Sequence, residues 1–103
     1  MPFSDESYNL RIELDTKHCD LSADEIAKME AALDPLSRAI RDFPVPDLYV
    51  TVIHHPRSKD FHVKTSLLLP SRTLFTGDRD YQMYPAYERC VRKLVNKVEG
   101  YKT

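Results

Sequence analysis

An apolar run broken by a proline, Leu68-Leu69-Pro70-Ser71-Arg72-Thr73-Leu74, constrains the fold of this chain more than any other segment. Proline lacks a backbone N–H and is therefore excluded from the interior of a sheet. The apolar residues before and after it must belong to two strands, which a short turn at 70–72 connects. The run predicts a strand over 61–69, followed by a short strand over 73–76.

Two more strands are predicted from alternating apolar and polar residues. Apolar residues occupy every second position over 10–14 and again over 48–52, as in strands with one buried face. The polar segment 54–60 is typical of a turn between strands, and Gly77-Asp78-Arg79-Asp80 is expected to close the sheet after the last strand.

A first helix is predicted over 23–42, where apolar residues recur at helical spacing. Ser22 and Glu25 have the spacing of a capping box, in which each side chain accepts a hydrogen bond from the other residue's backbone N–H. Pro35 lies within the pattern and removes a backbone hydrogen bond. We therefore expect a kink or a break near Asp34.

A second helix is predicted at the end of the chain, from about Tyr84, or from just after Asp80, to Glu99. Pro85 suits its first turn, where N–H groups have no helical partner. Gly100 is expected to end it, since glycine is common at helix C-termini. Its apolar stripe is predicted at Tyr87, Val91, Leu94 and Val98.

The order of these elements, β-α-β-β-β-α, predicts the α+β class. Two helices are expected on one face of a four-stranded sheet, with the last three strands joined as antiparallel hairpins. A chain of 103 residues suffices for one modest core. We expect an N-terminal tail at residues 1–8 and a single domain at residues 9–103.

Charge is distributed unevenly along the chain, although the formal net charge is only −1. Acidic residues dominate over 20–34, with Lys28 as the only base, and basic residues dominate after Pro85. A dipolar molecule with one basic face can bind RNA phosphates despite a neutral total. The acidic residues of the first helix region are Asp20, Asp24, Glu25, Glu30 and Asp34.

Several short segments match the pattern of one protein family in order and spacing: Lys17, Leu21-Ser22, Leu69-Pro70 with Thr73-Leu74, Met83-Tyr84 with Ala86, Lys93-Leu94, and Tyr101-Lys102. Together they resemble the ribosome-associated inhibitor and hibernation-promoting factor family, in its short form, over residues 9–102. The resemblance implies a fold similar to double-stranded-RNA-binding domains. It also implies a stress-response protein that binds the small ribosomal subunit and its 16S rRNA in the decoding channel, excluding messenger and transfer RNA.

The chain departs from the family pattern at several positions. Gln82 replaces an aspartate of the helix-start motif, Pro85 follows it, and Val95-Asn96 replaces a Glu-Arg pair. The first helix is acidic where family members carry basic residues. The departures place the fold implied by the resemblance on firmer ground than the ribosome binding.

The candidate RNA-binding residues are basic. Four of them form what we call the basic ridge of the final helix: Arg89, Arg92, Lys93 and Lys97. Lys17, Arg72 and Arg79 are expected to extend it, and Lys102 provides the basic ending. The alternative is an ordinary solvated helix face whose cations suit the helix C-terminus. Tyr84 and Tyr87 are candidates for base stacking, although Tyr87 is expected to pack against the sheet.

Two other binding functions remain open. The acidic first helix, with Asp24, Glu25, Glu30 and Asp34, would suit a protein-interaction module that binds a basic partner. A general double-stranded-RNA binder is the third hypothesis, and binding to a naked duplex distinguishes it.

Catalytic and metal sites are not expected. The chain has two glycines and neither a phosphate-binding loop nor a nucleophile motif, so we expect no enzyme, no cofactor and no small-molecule substrate. His18, His54, His55 and His62 are not spaced as zinc ligands. Cys19 and Cys90 match no zinc or redox motif and are predicted to be free thiols.

A cytoplasmic location is expected. No apolar run approaches the ~20 residues that span a bilayer, so no membrane partner is predicted. The acidic start of the chain lacks the apolar core of a secretory signal.

Overall fold

The computed structural model describes residues 10–102, so the predicted tail at residues 1–8 and both end residues of the predicted domain lie outside the described part. The predicted order of elements is confirmed, with the first helix divided into two pieces. The elements are β1 (Arg11–Lys17), α1 (Ala23–Ala31), α2 (Asp34–Ala39), β2 (Asp47–His55), β3 (Asp60–Leu69), β4 (Arg72–Asp80) and α3 (Met83–Lys102).

The four strands form one mixed sheet in the order β1-β2-β3-β4. β1 and β2 are parallel, because α1 and α2 carry the chain back across the sheet between them. The β2–β3 and β3–β4 pairs are antiparallel hairpins. The predicted α+β class is confirmed, with helices over one face of a four-stranded sheet.

Pro35 breaks the first helix as predicted. α1 ends at Ala31, and α2 begins at Asp34 with Pro35 in its first turn, where a missing N–H costs nothing. The capping box at the start of α1 is also confirmed. The Glu25 N–H donates to Ser22 Oγ at 3.1 Å, and the Ser22 N–H donates to Glu25 Oε1 at 3.0 Å.

The predicted extent of the last strand is wrong. β4 continues through Gly77-Asp78-Arg79-Asp80, which the sequence had indicated as a closing turn. Thr76, Asp78 and Asp80 alternate toward α3, and their side chains find partners there. β2 likewise extends into the predicted turn and ends at His55. These partners and the pairing with β3 stabilise an extended backbone whose local composition favours a turn.

The predicted end of the final helix is also wrong, since α3 continues through Gly100 to Lys102. Tyr101 packs against Phe43 with ring centroids 5.7 Å apart, and its hydroxyl lies 2.6 Å from Ser71 Oγ. These tertiary contacts hold the last turn in helical form although glycine favours an end there.

A single buried cluster fills the space between the sheet and the helices. The predicted apolar stripe of α3 is confirmed, and Tyr87 is fully buried. The Tyr87 hydroxyl donates a hydrogen bond of 2.7 Å to the Met29 carbonyl of α1. Tyr87 therefore packs within the core, as expected, and is not a base-stacking residue.

Both cysteines are free thiols, as predicted. Cys90 is buried on α3, and its Sγ lies 3.3 Å from the Val63 carbonyl. Burial raises the pKa of the Cys90 thiol to about 11, which keeps it protonated at neutral pH. It belongs to the core.

Candidate nucleic-acid interface

α3 presents its cations on two different sides. With 3.6 residues per turn, Arg89, Lys93 and Lys97 follow one side of the helix, which borders β4. Arg92 lies on the other side, against the junction between α1 and α2. The predicted basic ridge is therefore divided between two surfaces.

Asp78 on β4 binds two of the ridge cations. Arg89 donates from Nε to Asp78 Oδ2 at 3.1 Å and from Nη2 to Oδ1 at 3.2 Å. Lys93 Nζ lies 2.9 Å from Asp78 Oδ2 and donates to the Gly77 carbonyl at 2.9 Å. The hydrogen bond from Arg89, followed by that from Lys93, holds the pKa of Asp78 far below its usual range. Both cations are thus paired with one carboxylate within the molecule.

Arg89 has two further partners on β4. Its Nη2 donates to Asp80 Oδ2 at 3.0 Å and to the Arg79 carbonyl at 3.0 Å. Hydrogen bonds to Asp78 and then Asp80 raise the pKa of the Arg89 guanidinium. Through these hydrogen bonds to β4, Arg89 fixes α3 on the sheet.

Arg79 is bound by a carboxylate of the neighbouring strand. Its Nε lies 2.9 Å from Asp60 Oδ2, and its Nη2 lies 3.2 Å from Asp60 Oδ1. The hydrogen bond from Arg79, with a second one from Ser58, lowers the pKa of Asp60 to about 2. Side chains alternate along a strand, so Arg79 points away from α3, opposite to Asp78.

Lys102 connects the end of α3 to the end of α2. Its Nζ donates to the Ala39 carbonyl at 3.0 Å and lies 3.7 Å from Asp42 Oδ2. Four of the eight predicted RNA-binding residues therefore have acidic partners within the molecule: Arg79, Arg89, Lys93 and Lys102.

The other four predicted residues are exposed and, within residues 10–102, have no ion-pair partner: Lys17, Arg72, Arg92 and Lys97. Lys17 ends β1, and Arg72 begins β4 at the opposite edge of the sheet. The strand register places them at diagonally opposite corners. They do not form a continuous surface with α3.

A groove of about 340 Å³ lies between α3 and the α1–α2 junction. Pro35, Val91 and Val95 give it apolar walls, while Glu88, Arg92 and Asn96 supply polar groups. Its lining is completed by Ala32 and Tyr84. No residue pattern indicates this groove, because it depends on how the helix break at Pro35 packs against α3.

Tyr84 lies at one end of this groove beside two charges. Lys28 Nζ is 4.0 Å from the centroid of its ring, a cation–π contact. Burial, and then the nearby Glu88 carboxylate, raise the pKa of the Tyr84 phenol. Lys28 covers part of the ring, so Tyr84 is a wall of the groove more than an open stacking platform.

The sheet face opposite the helices exposes apolar residues that sequence reasoning did not single out. Tyr49 and Phe75 lie in one cross-strand row with Ser66 between them, and Leu68 lies in the next row. The Phe75 side chain is 63% exposed. The sequence contains a signal for this exposure. Phe75 follows Leu74, and neighbouring residues of a strand face opposite sides of the sheet.

Neither metal sites nor membrane spans are found in the described residues. No group of three or more histidine, cysteine or acidic side chains within residues 10–102 is arranged to hold a metal ion. None of the helices in this part of the chain has the length and apolar character needed to cross a bilayer.

Comparison with solved structures identifies the fold. No protein-family model and no curated protein sequence matches the chain. The Protein Y N-terminal domain of Thermus thermophilus superposes with a TM-score of 0.72 at 18% identity, covering 87% of this chain and 97% of that one. A ribosomal subunit interface protein from Coxiella burnetii gives a TM-score of 0.72 at 17% identity, covering 88% and 96%. This chain shares its fold with both proteins, so the fold that the sequence resemblance implies is confirmed.

Proposed function

We propose that this protein binds the small ribosomal subunit and inhibits translation as a hibernation factor of the cytoplasm during stress. The observation that carries the proposal is the structural match, over most of both chains, to a protein named for the ribosomal subunit interface. The sequence motifs that resemble the hibernation-promoting factor family support the proposal independently, because they do not depend on the structural match.

Contact with 16S rRNA would involve the exposed cations of α3. Arg92 and Lys97 are exposed and are without ion-pair partners in the described residues. Such side chains bind phosphate oxygens, which sets the position of a protein on RNA without reading its sequence. We assign Arg92 and Lys97 the largest contribution to rRNA affinity.

Arg79 and Arg89 have a different role in this proposal. Asp78 and Asp80 neutralise the cluster formed with Arg89 and Lys93 beside α3, and Asp60 neutralises Arg79 on the other face of the sheet. A neutral cluster attracts phosphate weakly. Arg79 holds the β3–β4 hairpin together and Arg89 holds α3 on β4, and so they keep α3, which carries Arg92 and Lys97 on two of its sides, in place.

The inhibitory mechanism would be occupancy. A rigid domain seated where messenger and transfer RNA bind excludes them by volume, and needs no reaction. The described residues form such a body, with one continuous buried cluster joining the sheet to all three helices. Recognition would rest on shape and on phosphate contacts, as is general for structured RNA.

Charge reversal tests the proposed interface. We expect Arg92→Glu/Lys97→Glu to weaken binding to purified 30S subunits at least tenfold, with no change in thermal stability, because both side chains are exposed. The matched control is Arg57→Glu/Lys64→Glu, which changes the net charge equally at exposed positions away from α3. Equal loss in both variants would show a general charge effect and contradict the assignment to α3.

The internal neutralisation of β4 and α3 also favours a second candidate function. With Arg79, Arg89 and Lys93 paired internally, the acidic α1 region, in which Asp24 is exposed, suits a protein-interaction module with a basic partner. Co-purification of one non-ribosomal protein, unaffected by ribonuclease and lost in Asp24→Asn/Glu30→Gln, would support this function over ribosome binding.

A further inference from the structure

The groove beside α3 contains polar side chains that no other protein group in the described residues binds. Arg92, Glu88 and Asn96 all line it, and their exposed side chains make no hydrogen bond or ion pair with the rest of residues 10–102. They surround apolar walls formed by Val91, which is 5% exposed, and the half-buried Val95. A guanidinium donor, a carboxylate acceptor and an amide therefore lie around the apolar part of the groove.

The size of the groove limits its occupant. About 340 Å³ lies near the lower end of the range of ligand pockets, roughly 300–1,000 Å³. That volume accommodates a single flat ring system. The exposed cation Arg92 in its lining favours an occupant that carries phosphates. These observations together favour one nucleotide of an RNA chain.

The polar groups discriminate between bases. A carboxylate only accepts hydrogen bonds, and a guanidinium only donates them. Guanine presents two adjacent donors, N1–H and the N2 amino group, and two acceptors, O6 and N7. Adenine has no donor at N1 and no amino group at N2, so it cannot satisfy the Glu88 carboxylate in the same way. The pair formed by Glu88 and Arg92 is complementary to guanine.

We propose that the groove lined by Val91, Val95, Glu88 and Arg92 binds an unpaired guanine base of RNA. The ring lies against the two valines, Glu88 accepts hydrogen bonds from N1–H and the N2 amino group, and Arg92 donates to O6 or N7. Asn96 contacts the ribose or the remaining edge of the base. The inference rests on the proposed ribosomal function, because it supplies the base-reading part of the same interface.

Short RNA probes test the groove directly. The probes are uridine heptamers with guanosine, inosine or adenosine at the centre, and binding is measured by fluorescence anisotropy at low salt. We expect adenosine to weaken binding about tenfold, the discrimination typical of a good pair of base contacts. Inosine lacks the N2 amino group and should lie between the two. Glu88→Gln, which leaves the shape unchanged, should abolish the difference between guanosine and inosine.

A second variant fills the apolar part of the groove. Val95→Phe places a ring where the base would lie and should abolish the preference for guanosine. Val45→Phe is the control, which makes the same exchange at a residue that is 51% exposed and outside the groove, and it should leave the preference unchanged. Equal affinity for the three probes, or unchanged guanosine preference in both Val95→Phe and Glu88→Gln, would overturn the inference. Guanosine monophosphate that binds as tightly as the guanosine heptamer would overturn the assignment to an RNA chain.

Failure of this inference is distinguishable from failure of the proposed function. If the unmodified protein binds 30S subunits but shows no guanosine preference, the groove inference is wrong and ribosome binding stands. If guanosine is preferred but 30S subunits are not bound, the groove inference stands and the ribosomal function is wrong. A benzoylphenylalanine at position 96 that cross-links to a ribosomal protein and not to rRNA would also overturn the groove inference.

Discussion

Asp78 on β4 accepts hydrogen bonds from Arg89 and Lys93, one turn apart on α3, at 3.1 Å and 2.9 Å from the same Oδ2 atom. This contact joins the last strand to the last helix at the point where the sequence indicates a closing turn. It also uses two cations that the sequence assigns to RNA. The same carboxylate therefore ties the end of β4 to α3 and reduces the positive charge available at the proposed interface.

Replacing Asp78 should separate these two effects. We expect Asp78→Asn to lower the Tm by a few degrees, because an amide cannot match a carboxylate as an acceptor for two cations. The variant should bind 30S subunits more tightly and with a steeper salt dependence, since Arg89 and Lys93 become available to phosphates. Circular dichroism melting and binding at several salt concentrations measure both effects. Unchanged ribosome affinity would show that this side of α3 does not face rRNA.

Stability should fall in acid because of the carboxylates of Asp60 on β3 and Asp78 on β4. The folded-state pKa of Asp60 is about 2, and that of Asp78 is also depressed, against an unfolded value of 3.8. A depressed folded pKa means that the stabilisation is complete above the unfolded pKa and is lost as pH falls through the folded one. We therefore expect a decline from about pH 4 toward pH 2 in urea unfolding. Asp78→Asn should show a shallower decline, and an equal slope would contradict the role given to Asp78.

The buried hydroxyl of Tyr87 should contribute measurably to the free energy of unfolding. Tyr87→Phe removes the donor to the Met29 carbonyl and leaves that carbonyl buried without this partner. The expected cost is about 1–3 kcal/mol in the free energy of unfolding, measured by urea denaturation. Tyr84→Phe is the control, because the Tyr84 ring is only half-buried, and it should change stability little. Equal effects of the two variants would show that the bond to Met29 adds nothing.

Gly100 offers a stabilising substitution. It lies within α3, its backbone is not left-handed, and a Cβ added there would meet no atom within 4 Å. Alanine is favoured over glycine in helices by roughly 0.5–1 kcal/mol, an upper limit so close to the helix end. Gly100→Ala should therefore raise the free energy of unfolding by up to that amount in urea denaturation. A decrease would mean that the last turn is not helical in solution.

The strands and the core were predictable because burial imposes a period on the sequence. Val63 and Leu67 lie on the buried face as alternation indicates, and Pro35 breaks the helix as its missing N–H requires. The last residues of β4 and α3 were not predictable, because contacts with distant residues, such as Asp78 with Arg89 and Ser71 with Tyr101, override the local preference. Local composition contains no information about such partners.

The candidate site was predictable only in part for the same reason. Counting charges located a basic helix, but it did not show which cations an acid already binds. Arg89 and Arg92 are the same type of residue on the same helix, yet Asp78 binds Arg89 and Arg92 lines the groove. The groove itself depends on the packing of α2 against α3, which no residue pattern specifies.

Co-sedimentation of the unmodified protein with bacterial ribosomes in a sucrose gradient tests the central claim most directly. At low salt, the protein is expected to move with the 30S subunit or the whole ribosome, and this association should weaken at physiological salt because phosphate contacts release bound cations. Protein that remains at the top of the gradient under both conditions would contradict ribosome binding and would indicate that the fold serves to bind a different partner.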